Sequence, residues 1–107
     1  MDTKAFVKKV VVLGMRAARR DYKRPNQKTI LAGSLAGFKA CLDKDIGELM
    51  HLLEVARART LASHRGEDDI ERYWWVRGYE MEVEWVCNVL SAALYNQGLP
   101  TIVPPTA

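Results

Sequence analysis

Hydrophobic and polar residues follow a helical period along most of this chain. Apolar residues recur three and four positions apart, the spacing that places them on one face of an α-helix. The pattern is interrupted at Pro25, around Asp43 and at His64-Arg65-Gly66, which divides it into four segments. Because the connections between the segments are short, the pattern predicts an all-α fold, a compact and mostly antiparallel bundle of about four helices.

The first predicted helix runs from about Thr3 to Lys23 and ends before Pro25, which disfavours helical geometry in the residue before it. Its apolar positions predict a core-facing stripe that consists of Phe6, Val10, Leu13, Gly14 and Ala17. Cations cover the opposite face, namely Lys8, Lys9, Arg16, Arg19, Arg20 and Lys23.

The second predicted helix spans about Gln27 to Leu42, with Asn26 as its cap. It carries a row of small residues at Gly33, Gly37 and Ala40. Such a row allows close packing against another helix, but glycine also weakens a helix. Whether this helix is continuous is therefore left open by the sequence.

The third predicted helix is capped by Asp43 or Asp45 and reaches about Ser63. Glu48 and His51 have the Glu-x-x-His spacing of di-iron bundles, but the chain holds no second motif of this kind. No metal and no cofactor is therefore expected. The predicted inward face of this helix consists of Ile46, Leu49, Met50, Leu53, Ala56, Thr60 and Leu61.

The last predicted helix, Asp68 to Tyr95, holds six of the nine aromatic residues. Asp68 and Glu71 form a candidate capping box, and Gly98 is a candidate C-terminal stop. On a helical wheel its apolar arc is about twice the ~100° stripe of an ordinary surface helix. Either neighbours pack against it on two sides, or one flank is a protein interface, because interface cores favour aromatic anchors. The flank expected to serve as an interface contains Trp75, Tyr79 and Val86.

Glu82 interrupts the apolar arc of the last helix. A buried carboxylate must be paired or protonated. One interpretation pairs Glu82 with Arg57 of the third helix, or lets the side chain reach water. The other interpretation makes Glu82 a lone acid at a binding groove. The predicted protein interface therefore comprises Trp75, Tyr79, Glu82 and Val86.

Composition is that of an ordinary folded protein, with 49% hydrophobic and 27% charged residues. Residues 1–98 are predicted to form a single helical domain, and residues 99–107, which contain three prolines, an extended tail. No apolar run approaches the roughly 20 residues that span a bilayer, and the N-terminus resembles an amphipathic helix more than a signal peptide. A cytoplasmic protein with no membrane association is expected. Cys41 and Cys87 lack metal-site spacing and are predicted to be reduced core thiols.

The net charge of +3 hides an asymmetry between the two halves of the chain. Residues 1–40 carry ten cations and two acids (10 − 2 = +8), whereas residues 67–84 carry two cations and seven acids (2 − 7 = −5). No phosphate-binding loop and no nucleophile motif is present, so an enzyme is not expected. The chain is predicted to be a non-enzymatic protein-binding module that can also self-associate. The alternative is a nucleic-acid-binding module, in which the basic first helix tracks phosphates instead of serving as a solvated face.

The run RYWWVRGYEMEVEWVCNVL, from Arg72 to Leu90, resembles the C-terminal helix of small orphan all-helical accessory proteins of tailed bacteriophages. The resemblance covers about the last third of the chain and includes no motif of assigned chemistry. It implies an accessory protein of the host-cell cytoplasm or the virion that works by binding. Such a protein blocks a host enzyme or defence complex, or bridges particle components.

Overall fold

A computed structural model describes residues 1–66 and 69–97 of the chain. The described residues form four α-helices and one 3-10 turn and include no strand, which confirms the predicted all-α bundle. The predictions for Asp68, for Gly98 and for the tail at residues 99–107 fall outside the described residues. The elements are α1 (Thr3–Asp21), the 3-10 turn (Pro25–Gln27), α2 (Lys28–Ala40), α3 (Ile46–Gly66) and α4 (Ile70–Asn96).

Acidic side chains start three of the four helices. Asp2 accepts from the backbone N–H of Ala5 at 3.1 Å, and Asp69 accepts from that of Arg72 at 3.0 Å. At α3, the N–H of Glu48 donates to Asp45 at 2.8 Å, and the N–H of Asp45 donates to the Glu48 carboxylate at 3.0 Å. This reciprocal pair is a capping box and satisfies two backbone donors that the helix leaves free.

The structure selects one of the two predicted caps of α3 and contradicts the predicted cap of α2. Of the two candidate caps of α3, Asp45 is the one that is used, while Asp43 turns the chain with a φ of 60°. Asn26 caps no helix, because it lies inside the 3-10 turn Pro25–Gln27, whose N-cap residue is Arg24. The chain therefore turns into α2 through the 3-10 turn, and α2 itself runs without a break through Gly33 and Gly37.

Successive helices along the chain run in opposite directions, and α4 contacts the other three. Helix α3 is antiparallel to α4, because the Thr60 hydroxyl donates to the Val76 carbonyl at 3.4 Å while the Cys87 thiol donates to the Leu49 carbonyl at 3.8 Å. Helix α4 therefore has neighbours on more than one side, as one of the two interpretations of its wide apolar arc expects.

Helices α2 and α4 run parallel and share the most extensive contact in the bundle. The backbone of Gly33 lies against that of Trp75, and the backbone of Gly37 lies against that of Tyr79. On the α4 side, Gly78 faces the carbonyl of Ile30, where an added Cβ would lie 2.7 Å from the oxygen. The small-residue row is thus the seam that lets the two central helices approach closely.

The core-facing stripe of α1 differs from the predicted one. Leu13 is exposed, and the stripe lies roughly 70° further round the helix. The reason is that α1 is apolar on both flanks, so periodicity alone does not choose between them. The ring of Phe38 lies against Gly14 and fixes the orientation of the helix. The buried residues of α1 are Val7, Val10, Val11, Gly14 and Ala18.

In α3, the inner face is narrower than predicted. Leu49, Leu53 and Ala56 are buried, whereas Met50 and Leu61 are exposed. Helix α3 packs mainly against α4 alone, so the side chains at the margins of its apolar stripe remain in solvent.

Both cysteines are free and buried, as the sequence predicts. The Cys41 thiol donates to the Gly37 carbonyl at 3.3 Å. Burial raises the pKa of Cys41 to about 12 and that of Cys87 to about 11. Since the thiolate is the reactive form, both thiols are chemically inert at neutral pH. Among the described helices, none has the length and apolar character needed to cross a bilayer.

Candidate functional site

The predicted interface flank of α4 is largely covered within the chain itself. The rings of Trp75 and Tyr79 stack with their centroids 5.6 Å apart and their planes at 24°. The guanidinium of Arg59, from α3, lies 5.8 Å from the first centroid and 5.6 Å from the second, within the range of a cation–π interaction. Val86 is only 1% exposed and belongs to the core, so it offers no surface to a partner.

Glu82 does not pair with Arg57. The Arg57 guanidinium instead lies 3.8 Å from the carboxylate of Glu84. Two residues that are two positions apart on a helix point roughly 160° away from each other. Glu84 therefore faces α3, whereas Glu82 faces α1.

Glu82 lines a groove between α1 and α4. The groove has a volume of about 450 Å³. The Phe38 ring of α2 forms its floor and meets the Trp85 ring edge-on, with centroids 5.9 Å apart and planes at 87°. We call this the α1–α4 groove; its lining residues are Leu13, Gly14, Ala17, Ala18, Asp21, Tyr22, Phe38, Glu82 and Trp85.

The carboxyl group of Glu82 is half-buried in mostly apolar surroundings. Burial raises its pKa from 4.5 to about 7. No side chain in residues 1–63 or 69–97 forms a hydrogen bond or an ion pair with it. Burial, followed by the Glu82 charge, also raises the pKa of the Tyr22 hydroxyl. Within the described part of the chain, the acid of this groove therefore has no cation as a partner.

The charged groups around Glu82 do not neutralise it. Asp21 lines the same groove and is a second acid. On the other side of Glu82, Arg77 and Glu84 line a neighbouring depression of about 280 Å³, but Arg77 forms its ion pair with Glu80. Glu80 is buried as part of this pair.

A second groove continues the first along α4. It has a volume of about 550 Å³ and lies between the 3-10 turn, the start of α2 and the start of α4. Tyr22 lines both grooves, so the two meet at its ring. We call this the α2–α4 groove; its lining residues are Tyr22, Asn26, Gln27, Thr29, Ile30, Ile70, Glu71 and Trp74.

Large apolar side chains border the two grooves and remain in solvent. Leu13 is 62% exposed, and on α4 Ile70 is 69%, Trp74 45% and Trp85 42% exposed. From Ile70 to Trp85 the surface extends for about 22 Å along the helix. Together with the half-buried Tyr22 we call these residues the apolar strip. Leu13, which the sequence pattern assigned to the core-facing stripe of α1, extends this exposed surface.

The basic face of α1 is present as predicted. Lys8, Lys9, Arg16, Arg19 and Arg20 lie within one sector of roughly 120° on the helix, and Lys23 follows its end; all six are exposed. Within the described part of the chain, only Arg20 of this set has an ion-pair partner, Asp21 at 3.2 Å.

The described residues offer no obvious metal centre, because no three His, Cys, Asp or Glu side chains among them converge. Glu48 serves in the α3 capping box, and His51 is exposed on the surface of α3. Comparisons with protein-family models, with curated proteins and with solved structures found no match to this chain.

Proposed function

We propose that this chain is a non-enzymatic binding protein that acts through a protein–protein interface centred on the apolar strip. The accessory roles implied by the resemblance to phage proteins, inhibition of a host enzyme or defence complex or bridging of particle components, are roles of this kind. The observation that carries the proposal is the continuity of Leu13, Tyr22, Trp85, Trp74 and Ile70 along two adjoining grooves.

A row of exposed apolar side chains that extends for about 22 Å along a helix favours binding to a partner. Single exposed apolar residues are common on soluble proteins, but contiguous patches beyond a few hundred Å² mark interaction sites. Interface cores are enriched in Trp and Tyr, and the strip contains two tryptophans and one tyrosine. The proposed site therefore lies on the α1 side of α4, and of the four residues predicted from the sequence it retains Glu82.

The acids of the α1–α4 groove favour a protein over a nucleic acid at this site. A phosphate backbone would be repelled by Asp21 and Glu82, whereas a Lys or Arg side chain would be attracted. The partner surface that fits the groove combines a bulky apolar side chain with a cation next to it.

Nucleic-acid binding through α1 is the second candidate function. The observation that favours it is the exposure of all six cations on or beside one helix face, because lysine and arginine side chains that are free to reach phosphates supply non-specific affinity. Binding of this kind falls steeply with salt. Titration of a fluorescent oligonucleotide at low and moderate salt tests it, with Arg16→Glu and Arg19→Glu as the variants that abolish it.

Site-specific photocrosslinking in cells of the source organism tests the main proposal. Benzoylphenylalanine is placed at position 85 in the apolar strip, or at position 61 as the control, since Leu61 is exposed on α3 outside the strip. We expect discrete protein adducts from position 85 that disappear when Leu13→Ser is added. Equal adducts from both positions, or adducts with nucleic acid alone, would contradict the proposal.

A further inference from the structure

We propose that the occupant of the α1–α4 groove is a second copy of this chain. In this dimer, Leu13 of each protomer enters the groove of the other, and a cation beside Leu13 pairs with Glu82. The inference rests on the proposed function and names the partner of the same surface.

The groove sets three requirements for its occupant. Its walls and floor, formed by Ala17, Phe38 and Trp85, require an apolar side chain. Its half-buried acid, Glu82, favours a cation, because a carboxylate that loses water must either gain a partner or take up a proton. Its open side lies between two helices and therefore suits an elongated element such as a third helix.

Helix α1 carries the features that the groove requires. Leu13 projects from it into solvent at the rim of the groove. Lys9 precedes Leu13 by four residues and Arg16 follows it by three, so both lie next to it on the helix surface. Both cations are exposed, and neither forms an ion pair with a described residue.

The position of Leu13 favours a closed pair. Leu13 both protrudes from the surface and lines the groove, so the protruding side chain and the groove that would receive its counterpart adjoin on one surface. A two-fold axis brings this patch against the same patch of a second copy, so that Leu13 of each copy enters the groove of the other at the same time. If the protruding side chain and the groove were on distant surfaces, the same contact would instead join the molecules into an open chain.

The charges are complementary across the same axis. Helix α1 carries six cations and one acid (6 − 1 = +5), whereas the charged residues that line the two grooves along α4 are all acids, namely Asp21, Glu71 and Glu82. When two copies pack with α1 of one against the grooves of the other, each basic helix meets acidic side chains. Electrostatic complementarity of this type fixes the register of an interface.

Light scattering coupled to size-exclusion chromatography, over a range of protein concentrations, tests the dimer. We expect the mass of the wild-type protein to rise from that of one 12.1 kDa chain to that of two. Leu13→Ser should raise the dissociation constant at least roughly a hundredfold, because each substitution removes an anchor twice in a symmetric pair. Leu61→Ser, which removes a similarly exposed leucine from α3, should leave the dissociation constant unchanged.

A charge exchange between two variants tests the pairing itself. Glu82→Lys should be monomeric, because two cations then face each other across the interface. The double variant Lys9→Glu, Arg16→Glu should be monomeric for the converse reason. When the two are mixed, a dimer of one chain of each kind should form, since one half of the interface then has the wild-type charge pair and the other half has the same pair with its signs reversed. Circular dichroism confirms that each variant is folded.

The outcomes separate this inference from the proposed function. A wild-type protein with the mass of one chain at every concentration overturns the dimer, and so does a dimer that survives Leu13→Ser or a mixture that stays monomeric. If position 85 still crosslinks to a different protein in any of these cases, the proposed protein-binding function stands and its partner is that protein.

Discussion

Replacing Gly33 with alanine adds a single carbon atom at the seam between α2 and α4. In the native structure this Cβ would lie less than 3 Å from the carbonyl of Trp75. The obstacle is backbone in the middle of a helix, which cannot rotate away as a side chain can. Since ordinary van der Waals contact begins at 3.4 Å, the two central helices must move apart to accommodate the new atom.

The expected loss of stability combines two opposing effects. Forcing an extra carbon into a packed interior costs about 1–3 kcal/mol and occasionally more. Alanine gains about 0.5–1 kcal/mol over glycine as a helix former. The clash is with backbone, so we place the packing cost at the upper end of its range and expect the free energy of unfolding to fall by about 2 kcal/mol.

Gly47→Ala is the matched control for the same chemical change. Gly47 is exposed in the first turn of α3, and among the described residues the added Cβ would meet a side-chain oxygen of Asp45 at 3.6 Å, which is ordinary van der Waals contact. This variant should gain up to about 1 kcal/mol. Urea denaturation, followed by circular dichroism, gives both values. A Gly33→Ala protein as stable as Gly47→Ala would refute the close approach of α2 and α4.

Three further predictions concern buried or strained groups. The Ser34 hydroxyl is buried with no partner among the described residues, so Ser34→Ala should raise the free energy of unfolding by about 1 kcal/mol. A lower free energy of unfolding in urea denaturation would show that the hydroxyl forms a stabilising hydrogen bond. Asp45→Ala should lower the free energy of unfolding by about 1 kcal/mol, because it removes the α3 cap. Asp43→Gly should raise the free energy of unfolding by about a few tenths of a kcal/mol, because φ at this residue is 60° and glycine adopts such a φ without strain. Equal effects of the two substitutions in thermal denaturation would contradict the assignment of Asp45 as the cap. The pKa of Glu82 is raised from 4.5 to about 7, so below pH 4.5 both the folded and the unfolded chain are protonated, and the stabilising effect of the proton is lost as pH rises through about 7. Glu82→Gln should therefore match the wild-type stability near pH 4 and exceed it at pH 8, when both are unfolded in urea at a dilution where the chain is monomeric; a difference that does not change with pH would refute the burial of this carboxyl.

The sequence alone determined the number of α-helices, although not the 3-10 turn before α2, because helical periodicity and helix-breaking residues are local properties. The four helices, the capping role of Asp45 as one of two candidates, and the small-residue row at Gly33 and Gly37 all depend on neighbours within a few positions. The wide apolar arc of α4 left two interpretations open, packing on two sides or a protein interface on one flank, and α4 contacts all three other helices.

The tertiary structure decided which apolar face of each helix is covered and which acid meets which cation. Helix α1 is apolar on two flanks, and only the position of Phe38 against Gly14 leaves Leu13 in solvent. Arg57 reaches Glu84 instead of Glu82, because α3 and α1 lie on different sides of α4. Periodicity gives the angle of each side chain about its own helix axis, but the angle between neighbouring helices depends on packing across the whole bundle. For this reason the exposed apolar strip and the unpaired carboxyl of Glu82 emerge only when the helices are assembled.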